Sequence, residues 1–423
     1  MTVLRSANGK IILFAERNQK YAKMKIIRGG VTAPKGFLAG STSCGIKKSG
    51  KTDLALLYSA VPCMATGTFT TNRVKSGSVV LSIQRLKKGM PQAMIVNSGN
   101  ANCCVGRKEI KDAIEITGLA AEKLAIKKES VLIASTGIIG RPLPVDKIKK
   151  GLNRLIKDLS ESNGTNFAKA IMTTDTVYKE IAVKINIKGK VVKIAGAVKG
   201  AGMICPNMAT MLAFFTTDAA IQKEALKQAF REAIYDSFNK ITVDGDMSTN
   251  DSAVMFANGM AGNKIIKKNG KDYAVFLEAV KFAARELSRK IVLDGEGAAR
   301  FIEIIVKGAR TENAAELAAK RIANSSLVKT MIAGGDPNWG RIAAAVGSSG
   351  ADINPWRMDI YFNRVPVMKN GTGTNASRKP LLNIFKKKEI EITVDLKSGK
   401  ESSRVWTCDL TEEYVRINAE YET

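Results

Sequence analysis

Lys199-Gly-Ala-Gly-Met-Ile-Cys-Pro-Asn-Met-Ala-Thr-Met-Leu212 joins two apolar alternating segments through a glycine-rich turn. Upstream, Ile181, Val183, Ile185 and Ile187 alternate with polar residues, Lys188-Gly-Lys190 interrupts, and Val191 to Val198 resumes the pattern, which predicts a β-hairpin. Downstream, Met211-Leu-Ala-Phe-Phe215 predicts another strand, apolar on both faces and therefore buried between layers. The Ala209-Thr210 pair thus sits where a turn enters a strand, a rigid place to mount a reactive group.

The surrounding chain alternates strands with amphipathic helices. Helical spacing is plain in Ile148, Leu152, Leu155, Ile156 and Leu159, again in Leu226, Ala229, Phe230, Ala233, Ile234 and Phe238, and from about Ala274 to Leu287. After Gly295-Glu-Gly297, a strand over Phe301 to Val306 and a helix through Ala314, Leu317, Ala318 and Ile322 begin a smaller α/β unit. Strands near Ile390 to Leu396 and Arg404 to Cys408 close it. The fold class is α/β, with paired sheets between helices.

Composition restricts the chemistry. The 423 residues contain no histidine, so Ser-His-Asp and Cys-His catalysis are both excluded. Six cysteines, with neither Cys-x-x-Cys spacing nor histidine partners, offer no zinc site and read as reduced thiols. The acidic turns around Asp244, Asp246 and Asp251 lack the spacing of a calcium loop, and no metal is expected. A net charge of +27 raises the question of nucleic acid, but the lysines are scattered and aromatic residues make up only 6%, so a solvated basic surface is expected instead. No membrane-length apolar run or secretory leader is present, and a cytoplasmic location is expected. The basic first 28 residues have some character of an organellar presequence, although Ile11 to Phe14 fits a short hairpin or arm better.

Gly45-Ile-Lys-Lys-Ser-Gly-Lys-Thr52 matches the phosphate-loop pattern letter for letter. Its context does not: Ala39 to Ser43 is a poor strand, Leu54 to Tyr58 reads as strand rather than helix, and an exposed hairpin turn at Lys47 to Lys51 is expected. Asn97 to Asn102 follows Met94 to Val96, and Ser135-Thr-Gly137 follows Val131 to Ile133. Both place hydrogen-bond donors at strand ends, where oxyanions are bound, and polar turn chemistry explains the same residues.

The Ala209-Thr210 pair has its own mechanism available. Attack of the Thr210 hydroxyl on the Ala209 carbonyl shifts the acyl group from nitrogen to oxygen, and hydrolysis of the ester frees an N-terminal threonine. Its α-amine, with an ordinary pKa of about 7.7 to 8.0, can then serve as general base. Packing of Met203, Ile204, Met208, Met211 and Leu212 in a core explains the same window without chemistry.

The Lys199 to Leu212 window resembles the autoprocessing signature of the ornithine acetyltransferase family. Further blocks resemble it in family order: Gly29 to Phe37, Phe69 to Val74, Val96 to Asn102, Ser135 to Gly140, Met172 to Asp175, Asp294 to Ala298, Gly335 to Arg341 and Asn418 to Thr423. The resemblance implies an N-terminal-nucleophile-like αββα layered sandwich over residues 25–297 with a smaller C-terminal α/β domain over 298–423. Residues 1–24 form a basic extension. The α chain would end at Ala209 and the β chain begin at Thr210, assembled as an α2β2 heterotetramer. It implies Thr210 as nucleophile and Thr136 with Gly137 as oxyanion hole. Lys199, Thr210, Glu296, Asn418, Thr423 and one of Thr173 and Thr174 would bind substrate. The implied reaction is ping-pong acetyl transfer from N2-acetyl-L-ornithine to L-glutamate in arginine biosynthesis, without a cofactor and with acetyl-CoA as a candidate second donor. An N-terminal-nucleophile aminopeptidase or amidase, and a basic nucleic-acid-binding protein, are the alternatives to be separated from it.

Overall fold

The computed structural model describes residues 3–5, 11–13, 24–205 and 211–420. Among these, two sheets lie face to face between helices. One has six strands: Met24–Ile27, Lys179–Ile187, Lys190–Lys199, Leu212–Thr217, Ser252–Ala257 and Met64–Phe69, in that spatial order. The other orders Phe37–Thr42, Leu54–Ser59, Ala93–Asn100 and Val131–Ile138.

Side-chain parity explains the layering. Leu212 and Phe214 point into the core between the sheets, while Ala213 and Phe215 pack against helices Lys223–Tyr235 and Lys271–Leu293. On the opposing sheet, Met94, Val96, Leu132 and Ala134 enter the same inter-sheet core. Ala93, Ile95, Val131 and Ile133 face helices Gly77–Lys88, Lys108–Leu124 and Val145–Lys157. Strands buried on both faces need continuous apolar runs, and these segments have them. The result is an αββα sandwich.

The expected hairpin is Lys179–Ile187 with Lys190–Lys199, joined by Lys188 and Gly189 at φ of 48° and 85°, the two left-handed positions of a type I′ turn. Lys190–Lys199 then pairs antiparallel with Leu212–Thr217 over six residue pairs, from Ile194 with Thr217 to Lys199 with Leu212. The third helix extends beyond its expected bounds, from Lys271 to Leu293. Near the N-terminus, Val3–Arg5 pairs antiparallel with Ile11–Leu13 as the expected short hairpin, with Phe14 outside the described residues.

One expectation is overturned. Of the small residues Ala39 to Ser43, all but Ser43 belong to the strand Phe37–Thr42, fully paired with Leu54–Ser59, and are not a poor strand. Weak intrinsic propensity loses here to packing, since a Cβ on Gly40 would lie 2.5 Å from the Leu155 carbonyl oxygen. Small residues let helix Val145–Lys157 approach the strand.

Residues 301–408 supply a third sheet of six strands, in which Phe301–Ala309 is flanked by Glu389–Asp395 and Glu401–Cys408. It has its own core with helices Glu312–Ala323, Ser326–Gly334, Gly340–Gly347 and Arg378–Phe385. The polar stretch Lys369 to Asn375 forms the hairpin end of Val365–Lys369 with the short strand Thr372–Gly373. Helix Glu412–Glu420 leads back toward the sandwich. No helix among the described residues is long and apolar enough to cross a membrane.

Candidate active site

The site forms where strands of the two sheets end together. Ala93–Asn100 and Val131–Ile138 run parallel, bringing Ser98 beside Thr136 and Gly99 beside Gly137 before a bulge at Asn100. Gly137 has φ of +131°, and a Cβ there would lie 2.3 Å from the Gly99 carbonyl carbon and 2.5 Å from the Asn100 nitrogen. Only glycine fits both the conformation and the approach. Gly137→Ala is therefore expected to cost at least about 1–3 kcal/mol and to splay the strand ends, lowering both the melting midpoint and any activity that uses them.

A buried polar network fixes these ends from behind. Ser135 Oγ donates to Asn97 Oδ1 at 2.7 Å and lies 2.7 Å from Ser78 Oγ. Asn250 Nδ2 donates to the carbonyls of Ser135 (2.8 Å) and Ala101 (2.6 Å). These amides and hydroxyls are turn chemistry and scaffold at once, since satisfied buried networks rigidify what they hold.

Thr136 lies two residues beyond Ala134 and Lys199 two beyond Ala197, so both continue faces that line the inter-sheet core. There Lys199 Nζ donates to Thr136 Oγ1 at 3.2 Å. Lys199 is only 5% exposed. Burial pulls its ammonium below the ordinary lysine range, with Asp175 opposing and Lys179 reinforcing the shift.

Under Lys199 sits a buried ion triad. Lys179 Nζ lies 2.6 Å from Asp175 Oδ1 and 2.6 Å from Asp294 Oδ2. Burial would lower the Lys179 ammonium, but the two carboxylates outweigh it and raise its pKa. Burial likewise works to raise the Asp175 carboxyl, yet Lys179, Lys199 and the Gly200 N–H hold it well below the usual range. The triad clamps backbone: Asp175 accepts from Gly200 N (2.7 Å) and Thr173 N (3.0 Å), and Asp294 from Thr176 N (3.1 Å) and the Thr176 hydroxyl. Thr173 and Thr174 are thereby fixed, both half-buried, beside the strand that carries Lys199.

Glu296 approaches from the other side of the glycine turn. Its N–H donates to the Ala201 carbonyl at 3.0 Å, and a Cβ on Gly202 would lie 2.3 Å from its carboxyl carbon. Asn418, on helix Glu412–Glu420, donates to Glu296 Oε2 at 2.9 Å. One helical turn earlier, the Tyr414 hydroxyl donates to Asp244 Oδ2 at 3.2 Å, and the Asp244 carboxylate also accepts from Met203 N (2.6 Å) and Ile204 N (2.9 Å). The structure therefore brings Thr136, Gly137, Lys199, Glu296 and Asn418 to one region, with Thr173 and Thr174 beside it. Ala209, Thr210 and Thr423 lie outside the described residues. Burial and Asp244 push the Cys205 thiol up to about 11, so it is not a thiolate nucleophile at neutral pH.

A family model described as the ArgJ family matches residues 38–423. The chain belongs to the ArgJ family. It is 48% identical over 404 residues to the arginine biosynthesis bifunctional protein ArgJ of Caldanaerobacter subterraneus, covering 95% of this chain and 100% of that one. To the glutamate N-acetyltransferase of Methanocaldococcus jannaschii it is 47% identical over 413 residues, covering 95% and 100%. Among solved structures, the Bacillus halodurans ArgJ bifunctional protein is 41% identical, with TM-score 0.48, over 49% of this chain and 98% of that one. Ornithine acetyltransferase from Mycobacterium tuberculosis, complexed with ornithine, is 36% identical, with TM-score 0.41, over 44% and 98%.

In this ArgJ-family chain the phosphate-loop lookalike has a different role. Asp53, fully buried, accepts from the N–H groups of Cys44 (2.8 Å), Ile46 (2.6 Å) and Lys47 (3.1 Å). The donors that would cradle a phosphate are already occupied, and antiparallel strands flank the loop. Lys48 to Lys51 are exposed as a hairpin turn should be, but Lys47 departs from that expectation. Its stem lies within 3.1 Å of where a Gly99 Cβ would stand, and Nζ donates to the Thr52 carbonyl at 2.9 Å. Burial lowers its pKa to about 8, against the pull of Asp53 and Asp175. Sequence reading missed Lys47, Lys179 and Asp244 at this site. Their signal was available only as buried charge, which no spacing rule reports.

Proposed function

We propose that this protein transfers the acetyl group of N2-acetyl-L-ornithine to L-glutamate, releasing L-ornithine and N-acetylglutamate for arginine biosynthesis, after scission between Ala209 and Thr210. The observation that carries this reading is a cation and an anion fixed on either side of one glycine turn, Lys199 beside Thr136 and Glu296 against Gly202. A site of that polarity suits an amino acid with a free carboxylate and a free side-chain ammonium. The names of the relatives above support the same substrates.

The residues take roles accordingly. Lys199 meets the substrate carboxylate, Glu296 with Asn418 the δ-ammonium, and Thr423 with one of Thr173 and Thr174 completes the binding surface. Because Lys199 occupies a lone pair of Thr136 Oγ1, that hydroxyl retains its proton to donate to a developing oxyanion beside Gly137. The α-amine of Thr210 takes the proton from its own hydroxyl as Oγ attacks the acetyl carbonyl. The Thr210 ester holds the acetyl group until the glutamate amine displaces it, and that amine needs no further cofactor. Residues 25–297 form the catalytic domain and 298–423 the smaller one, and the two chains assemble as α2β2. Six unbridged thiols and free amino-acid substrates support a cytoplasmic location.

One assay tests the reading: purified protein with acetylornithine, with and without glutamate, and separately with acetyl-CoA and glutamate. Transfer predicts deacetylation that depends strongly on glutamate. Equal deacetylation without acceptor would make the protein an amidase. Glu296→Gln is expected to raise KM for acetylornithine roughly 10- to 150-fold, as loss of a charge-assisted contact of about 1.5–3 kcal/mol would.

A further inference from the structure

Asp251 stands out as a buried carboxyl group that no part of the acetyl-transfer scheme uses. The parallel register of Leu212 with Ser252 sets residue 251 beside residue 211, and Asp251 Oδ1 accepts from the Met211 N–H at 3.1 Å. That N–H belongs to the peptide bond formed by Thr210. Asp251 Oδ2 is fully buried and makes no well-formed hydrogen bond among the described residues, although the Thr70 and Ser248 side chains lie close enough to the carboxyl to stabilise its charge. The carboxyl is fixed at its own backbone too, since Asp251 O accepts from Thr70 N at 3.0 Å and the Ser252 N–H donates to Met211 O at 3.1 Å. Its neighbour Asn250 carries the amide that ties down Ser135 and Ala101, so one short segment reaches both the oxyanion strand and the start of strand Leu212–Thr217.

A buried oxygen without a partner is costly, by about 1–3 kcal/mol, unless it serves a group that needs it. Burial raises the Asp251 carboxyl well above the usual range, outweighing the Met211 N–H, Lys199 and the Thr70 and Ser248 side chains. Burial thus favours the protonated form, the one able to donate.

We infer that Asp251 is the proton relay for scission of the Ala209–Thr210 bond. The inference rests on the cleavage reading given above. As Thr210 Oγ bonds to the Ala209 carbonyl carbon, the C–N bond breaks and the Asp251 proton passes to the departing Thr210 nitrogen. The proton lost by Oγ restores the carboxyl. The net change is one proton moved from oxygen to nitrogen and an ester in place of an amide. Water then divides the ester into the Ala209 carboxylate and the free Thr210 hydroxyl.

The test follows cleavage of full-length Asp251→Asn and Asp251→Ala by denaturing electrophoresis beside the wild type, with thermal melts to show that each is folded. Each variant is assayed well below its own melting midpoint. Cleavage of Asp251→Asn is expected to slow by about 100-fold or more, the range of a lost general acid. Added formate, a small carboxylic acid, is expected to restore cleavage to Asp251→Ala, which a purely structural role would not allow. Cleavage of Asp251→Asn at the wild-type rate, or failure of formate to restore Asp251→Ala, overturns the inference while leaving the cleavage reading intact. A wild type that stays whole yet transfers acetyl groups overturns both.

Discussion

Thr210→Ala is expected to yield a single uncut chain of 45.6 kDa and to abolish acetyl transfer. The substitution removes the hydroxyl that attacks Ala209 and, with it, the hydroxyl that would accept the acetyl group. It also prevents release of the α-amine, so nucleophile and base disappear together. Loss of an activated nucleophile costs on the order of 10^6 in kcat, and the residual rate should approach that of solution. Electrophoresis and the glutamate-dependent assay read the two consequences separately. Thr210→Ser, which keeps an attacking hydroxyl, is expected to retain both in reduced degree. An uncleaved Thr210→Ala chain with wild-type activity would remove Thr210 from the mechanism.

Lys179→Met is expected to destabilise the fold by about 3–5 kcal/mol, because it strands Asp175 and Asp294 as uncompensated buried carboxylates. The pH dependence makes this diagnostic. In the wild type the Asp175 carboxyl is held below its unfolded value of about 3.9, so its contribution is complete above that value and is lost as pH falls through the folded one. Lys179, with a raised pKa, contributes below its unfolded value of about 10.4 and loses that contribution as pH rises through the folded one. Without Lys179, burial of the Asp175 carboxyl is opposed only by Lys199 and the Gly200 and Thr173 N–H groups, so it rises from its wild-type position. The variant should then lose less stability on acidification than the wild type does. Urea titrations across the acid range decide it: parallel pH slopes for the two proteins would show that the triad carries no linked charge. Because Asp175 also holds Gly200 N and Thr173 N, the variant should lose substrate affinity even where it remains folded.

Sequence reading reached the αββα architecture because its cues are local. Continuous apolar runs such as Met211 to Phe215 announce strands buried on both faces, and the period of Leu226, Ala229, Phe230 and Ala233 announces the covering helix. It failed at Ala39 to Ser43, where the determining fact is a close contact between Gly40 and Leu155, far apart in the chain. The site divides in the same way. Thr136, Gly137, Lys199 and Glu296 lie in motifs with recognisable order. The groups that hold them do not: Asp294 reaches Thr176 and Lys179, and Asp244 reaches both Met203 and Tyr414. Acidic residues in turns resemble solvated loops until a structure shows that they are dry.

The ladder between Lys190–Lys199 and Leu212–Thr217 gives the proposed scission an unusual physical consequence. The cut falls between two neighbouring strands of one sheet, so the pieces remain stitched by six paired positions and a shared core. Nothing in the folded molecule registers the break as a separation. The unfolded molecule does, because two free fragments replace one tethered chain and refolding becomes a second-order encounter. Maturation would therefore trade reversibility for chemistry. Precursor should recover from denaturant at any dilution, whereas mature enzyme should recover only when concentrated, and differently tagged mature molecules should never exchange halves without first unfolding.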